Sequence, residues 1–279
     1  MIKRLILILL ILGLLAACSR ESDSGSKNPI TTQPTETEVV ATPTPYPTAT
    51  PQPRARITIG QQEILNGDYG AALEDFWKAR EQSSDPDVIA TAQLGVGRVL
   101  LLQEDYAGAI EQLTWLQDNF EVGETRDNAY FFLARAYEGL GQFRLAAEAY
   151  GQYVASQPGP LDSEILEMQG EAFLLANEPA LARQAFINAT QSATPARAEL
   201  IEIKAARAAV AAGDDEDAIN RYVTLLETST SEQVQSQANV LLGQLYLRLG
   251  MAEQASARFQ DSVIRFPAYY ATYSALVAL

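Results

Sequence analysis

Of the side chains that carry most catalysis and metal binding, this sequence has no histidine and one cysteine, Cys18. Without imidazole the chain lacks the group that titrates near neutral pH, and a lone thiol can build neither an internal disulfide nor a Cys/His zinc set. Ser24-Gly25-Ser26-Lys27 has the S-x-x-K spacing of a serine nucleophile beside its lysine. It lies in a Ser/Thr/Pro-rich stretch with no fold to hold the two groups together. Asp214-Asp215-Glu216-Asp217 gathers four carboxylates. They follow Gly213 at the start of a helical pattern, where acids cap amides and favour the helix dipole, and the same holds for Glu104-Asp105. Gly95-Val96-Gly97 lacks the third glycine of a dinucleotide loop. The reading is that the chain is not an enzyme and has no catalytic residue, metal or cofactor.

Binding is better represented than reaction. Six residues, Gln61, Arg98, Arg135, Glu171, Arg207 and Gln244, each follow a glycine or alanine that marks a close helix contact: Gly60, Gly97, Ala134, Gly170, Ala206 and Gly243. If these share one inner face, Arg98, Arg135 and Arg207 present guanidinium forks suited to carboxylates, such as a peptide C-terminus or the acidic groups of cell-wall peptides. Asn128 and Phe131, preceding Arg135 on the same helix, add an amide and an aromatic surface. The competing reading pairs the arginines with acids such as Glu138 and Glu171, so that they only solubilise the groove.

The elements that would position these residues follow from self-similarity at fixed spacing. Six sets recur: Tyr69, Ala72, Phe76, Ala79; Tyr106, Ala109, Leu113, Leu116; Phe143, Ala146, Tyr150, Tyr153; Pro179, Ala182, Phe186, Ala189; Asp215, Ala218, Tyr222, Leu225; and Ala252, Ala255, Phe259, Ser262. From Ala72 to Ala255 the alanines are separated by 37, 37, 36, 36 and 37 residues. A second helical stretch precedes each set, and Gly67, Gly141, Gly213 and Gly250 occupy the turn in four units, where glycine admits the left-handed conformation that ends a helix.

This pattern resembles the tetratricopeptide repeat. The best matches are Tyr130, Leu133, Ala134, Tyr137, Gly141, Phe143, Ala146, Tyr150 and Pro158, and then Leu242, Gly243, Tyr246, Gly250, Ala255, Phe259 and Pro267. The resemblance spans about residues 54 to 267 and implies an all-α fold: a right-handed superhelical solenoid of about six helix pairs, its concave surface lined by the first helix of each pair. Pro179 and Asp215 depart from the aromatic usually found at their position, which leaves the boundaries of units four and five open.

The N-terminus reads as an address. Lys3 and Arg4 precede an apolar run from Leu5 to Leu15 and the small residues Ala16 and Ala17, the layout of a secretory signal peptide. Leu15-Ala16-Ala17-Cys18 resembles the lipobox of bacterial lipoproteins, which implies lipidation of Cys18 and cleavage before it. Residues 1-18 are then a signal peptide, 19-53 a disordered Ser/Thr/Pro-rich tether and 54-279 the repeat domain. The chain would be exported and held by its lipid on the outer face of the cell membrane or at the outer membrane.

The net charge of -15, from 20 basic and 35 acidic residues, argues against a nucleic-acid partner. The expected partner is a protein, a peptide or peptidoglycan, engaged by a cell-envelope scaffold. Arg265-Phe266-Pro267-Ala268-Tyr269-Tyr270 resembles the stretch that leads from the helical repeats of soluble lytic transglycosylases towards their catalytic domain. That resemblance implies a second reading, a truncated non-catalytic region of a peptidoglycan-cleaving enzyme. A third is an outer-membrane assembly or secretion lipoprotein. The uncharged stretch from Tyr269 to Leu279 looks like the first helix of a seventh pair, so the array is expected to be incomplete at that end.

Overall fold

The computed structural model describes residues 51–121 and 123–278. The signal peptide, Cys18, Ser24 to Lys27 and nearly all of the expected tether lie outside the described residues. Thirteen α-helices and no strand occur among the residues described. They are paired: α1 (Pro53–Asn66) with α2 (Tyr69–Glu81), α3 (Pro86–Leu102) with α4 (Tyr106–Asn119), α5 (Glu124–Gly139) with α6 (Phe143–Ser156), α7 (Asp162–Leu175) with α8 (Pro179–Ser192), α9 (Pro195–Ala212) with α10 (Asp215–Thr228) and α11 (Glu232–Arg248) with α12 (Ala252–Arg265). A last helix, α13 (Tyr270–Ala278), follows.

Every second helix starts on the first residue of its recurring set, and Pro179 and Asp215 are no exception. Proline suits the first helical turn, where its missing N–H would have no partner, and aspartate there favours the dipole. The boundaries of units four and five are therefore those of the other units. The turns are equally regular. Gly67, Glu104, Gly141, Asn177, Gly213 and Gly250 all have φ between +60° and +80°. Each donates its N–H three residues back, and the next residue donates five residues back, as in Glu104 to Leu101 (3.1 Å) and Asp105 to Leu100 (2.9 Å). This is the Schellman closure of a helix, repeated six times and twice built without glycine.

The small residues are explained by what faces them. A methyl placed on Gly97 would lie 2.5 Å from Leu113, on Gly170 2.5 Å from Phe186 and on Gly243 2.6 Å from Phe259, so the two helices of a pair meet backbone against side chain. Phe76, Leu113, Tyr150, Phe186, Tyr222 and Phe259, one per unit, are almost wholly buried. They fill the space that close approach leaves.

Each helix packs on its neighbours in the chain, and α1 also packs on α3, α3 on α5, α9 on α11 and α11 on α13. The second helices of successive pairs do not approach one another in this way, so the stack curves towards the odd-numbered layer. The layer loosens at α7, which stands off from α5 and α9. Helix α13 sits on α11 and α12 as α3 sits on α1 and α2, which is the first-helix position of a seventh unit. Its Tyr270, Tyr273, Leu276 and Val277 are exposed.

Candidate functional site

The odd helices bring Arg98, Arg135 and Arg207 onto the inner layer, each from a different unit and each beside its small packing residue. Arg98 is half-buried, its guanidinium carbon 5.3 Å from the centre of the Phe132 ring. Arg135 is exposed and binds Glu138 on its own helix at 2.5 Å. Arg207 is exposed and lines a cavity of about 360 Å³ with Glu171, Leu174, Phe186, Lys204 and Ala211, in the gap between α7 and α9. Among the described residues, neither Arg98 nor Arg207 forms an ion pair, although most of the other basic residues do.

Of the two neighbours proposed for Arg135, Asn128 is half-buried on the same helix. The Phe131 ring is committed to packing, with centroids 5.5 Å from Phe132, 6.1 Å from Tyr150 and 5.9 Å from Tyr153. It supports the wall behind Arg135 more than it offers a free face. Beside it lies the buried Tyr150 hydroxyl, next to the Arg135 guanidinium and the Glu138 carboxylate. Burial, then the Glu138 carboxylate, pushes the phenol well above its usual pKa, with Arg135 acting in the opposite sense. Tyr222, in unit five, is also pushed up by burial, with Arg207 opposing.

Among the described residues Glu171 does not pair with an arginine. It binds Lys204, which also reaches Glu167 at 2.5 Å, while Arg197 reaches Glu167 at 2.6 Å and Glu164 at 3.4 Å. These pairs bridge α7 and α9 where backbone contact is lost. The sequence reading missed Lys204. The signal was its spacing, since residues about one repeat apart lie on adjacent inner helices, and Glu167 and Glu171 stand at that distance from Lys204 and Arg207.

The acidic runs are structural. Asp68, Asp105 and Asp214 accept hydrogen bonds from Ala71, Gly108 and Asp217 main-chain N–H groups at 3.2, 3.0 and 3.3 Å. Asp214 and Asp217 face Arg183, and Asp215 faces Arg248. Glu104 is the left-handed residue of its turn, so Asp105 alone provides the cap there. Gly95 and Gly97 are packing residues against Phe76 and Leu113.

No curated protein matches this sequence. Among solved structures, the C-terminal part of a tetratricopeptide-repeat protein from Cytophaga hutchinsonii is 18% identical, with 81% of this chain and 88% of that chain covered and a TM-score of 0.60. YrrB, described as a tetratricopeptide-repeat protein with an unusual peptide-binding site, is 15% identical, with 73% and 96% covered and a TM-score of 0.50. At these identities the likeness is one of fold. The tetratricopeptide-repeat profile matches residues 60–115, 133–198 and 203–269, more than half of the chain. With six helix pairs in one register and three such matches, the chain belongs to the tetratricopeptide-repeat family.

Proposed function

We propose that this protein is a lipid-anchored scaffold of the cell envelope whose inner layer binds a partner carrying carboxylates, such as a peptide C-terminus or the acidic peptide of a cell wall. Tetratricopeptide arrays offer extended concave surfaces to protein and peptide ligands. One observation carries the finer reading. In a chain with 35 acidic residues against 20 basic ones, Arg98 and Arg207 on the inner layer have no carboxylate partner among the described residues. Guanidinium groups placed there and left unpaired are suited to bidentate carboxylate contacts from a ligand. The anchor rests on the basic, apolar and small residues that end at Cys18. Peptidoglycan as the source of the carboxylates is supported by the resemblance around Arg265 to Tyr270.

The test pairs a triple variant, Arg98→Ala, Arg135→Ala and Arg207→Ala, with titration of muropeptides and of peptides with free C-termini. Charge-assisted contacts are worth about 1.5 to 3 kcal/mol when buried and less when exposed, so the triple variant should bind at least tenfold more weakly. Undiminished binding by a folded variant would retire this use of the groove.

A further inference from the structure

Between α11 and α13 the inner layer holds a second concavity, of about 450 Å³, within the size range of sites that take small organic ligands. It is lined by Gln233, Gln237 and Gln244 on one side, Tyr269, Tyr270 and Ser274 on the other, and Val240, Leu241 and Ala271. Among the described residues no charged residue lines it. Among the described residues these three glutamine carboxamides have no hydrogen-bond partner, whereas Gln235 on the same helix is occupied by Ser229 (2.5 Å) and Arg265 (3.0 Å).

The walls are held in place by groups that do not line the trough. Tyr269 donates its hydroxyl to Glu232 at 3.2 Å, and its ring meets Phe266 edge-on at 6.4 Å. Tyr270, beside it, is 90% exposed. Helix α13 is fixed by the buried hydroxyl of Thr272, which donates to the Phe266 carbonyl (2.6 Å). Since that hydroxyl has one proton, Ser236 (3.1 Å) and Ser262 (3.2 Å) must donate to it. All three side chains are buried, so this clasp joins α11, α12 and α13 and sets the width of the trough.

We infer that the α11/α13 trough is a subsite for a neutral saccharide chain. The inference rests on the reading of the odd-numbered layer as the binding face, not on the arginines. A carboxamide both donates and accepts, and so matches the hydroxyls of a sugar, which do the same. The tyrosine rings and the apolar floor offer flat surfaces to the C–H face of a sugar ring. A charged ligand would lose its hydration without gaining a counter-charge, and the chain's net charge of -15 further disfavours an acidic glycan.

The experiment titrates the full chain with chitotetraose, cellotetraose and maltotetraose, and with an uncharged hexapeptide blocked at both ends, by calorimetry and by the side-chain NH₂ signals of glutamine. Tyr270→Ala and Gln244→Ala change exposed side chains and should leave the fold intact. At least one saccharide should bind, each substitution should weaken it about tenfold, and the triple arginine variant should bind it as the parent does. Saccharide binding that survives both trough substitutions would overturn the site. Binding of the blocked peptide alone, or of no probe, would overturn the ligand class. Loss of saccharide binding in the triple arginine variant would place the sugar at the arginines instead. The carboxylate reading is judged separately by its own ligands.

Discussion

Replacing Glu104 by glycine should stabilise the array, although it removes a side chain and introduces the residue least favoured in ordered structure. Glu104 has φ of +62° in a turn that four other units fill with glycine. The left-handed conformation costs a side-chain-bearing residue roughly 1–2 kcal/mol, while glycine gives back about 0.5–1 kcal/mol through the greater freedom of its unfolded chain. The side chain is exposed, and the two main-chain bonds of the turn persist in the variant. The expected gain is therefore about 0.5–1 kcal/mol, a rise of about 1–4 °C in melting temperature for an array of this size. Asn177→Gly should gain less, because asparagine tolerates this conformation better than glutamate, and Gly141→Ala should lose about 1 kcal/mol or more. Calorimetric melting of the three variants beside the parent decides the matter. A Glu104→Gly variant less stable than the parent, with Gly141→Ala neutral, would refute the argument from turn conformation.

Gly97→Ala should destabilise by about 1–3 kcal/mol, because its methyl would lie 2.5 Å from buried Leu113, and urea unfolding would measure it. Tyr150→Phe should lower stability at neutral pH by about 1 kcal/mol, since the buried hydroxyl lies beside the Arg135 guanidinium and the Glu138 carboxylate and its loss leaves them without that partner; unchanged or higher stability would mean that the hydroxyl is unpaired. Tyr150 and Tyr222 have folded pKa values raised above the ordinary value of 10.0, so they keep their protons in the native state while the unfolded chain ionises. Their contribution is full below pH 10 and falls as pH rises beyond it, so the parent should lose stability above that value and Tyr150→Phe should lose less. Cys18→Ala should move the protein from the membrane to the soluble fraction on cell fractionation, and retention at the membrane would remove the lipid from the account.

The period in the sequence carried most of the fold, because each unit repeats the same contact between a small residue and a large one. Phe76 against Gly60 and Phe259 against Gly243 are legible as residue types at fixed spacing. Pro179 and Asp215 obscured two units only at the level of residue type, since both occupy the first helical position that Tyr69 and Tyr106 occupy elsewhere. Glu104 carries no local sign of left-handed geometry, and its place in the period is what assigns it. The inner arginines were legible because they follow the packing residue. Their freedom or pairing was not, as it depends on how far apart neighbouring helices stand. The gap at α7, which lets Lys204 bridge Glu167 and Glu171, comes from tertiary packing over more than thirty residues. The α11/α13 trough needed the path of α13, which the Thr272 hydroxyl fixes through contacts on two other helices.

Under the proposed function the odd-numbered layer is the binding face, and Arg98 and Arg207 receive the ligand's carboxylate. Hydrogen exchange with and without a peptide ending in a free α-carboxylate, compared with its C-terminal amide, tests this most directly. Added protection is expected on α3 and α9, greatly reduced with the amide and in the triple arginine variant. Equal protection by both peptides, or protection confined to α2, α4, α6, α8, α10 and α12, would contradict it.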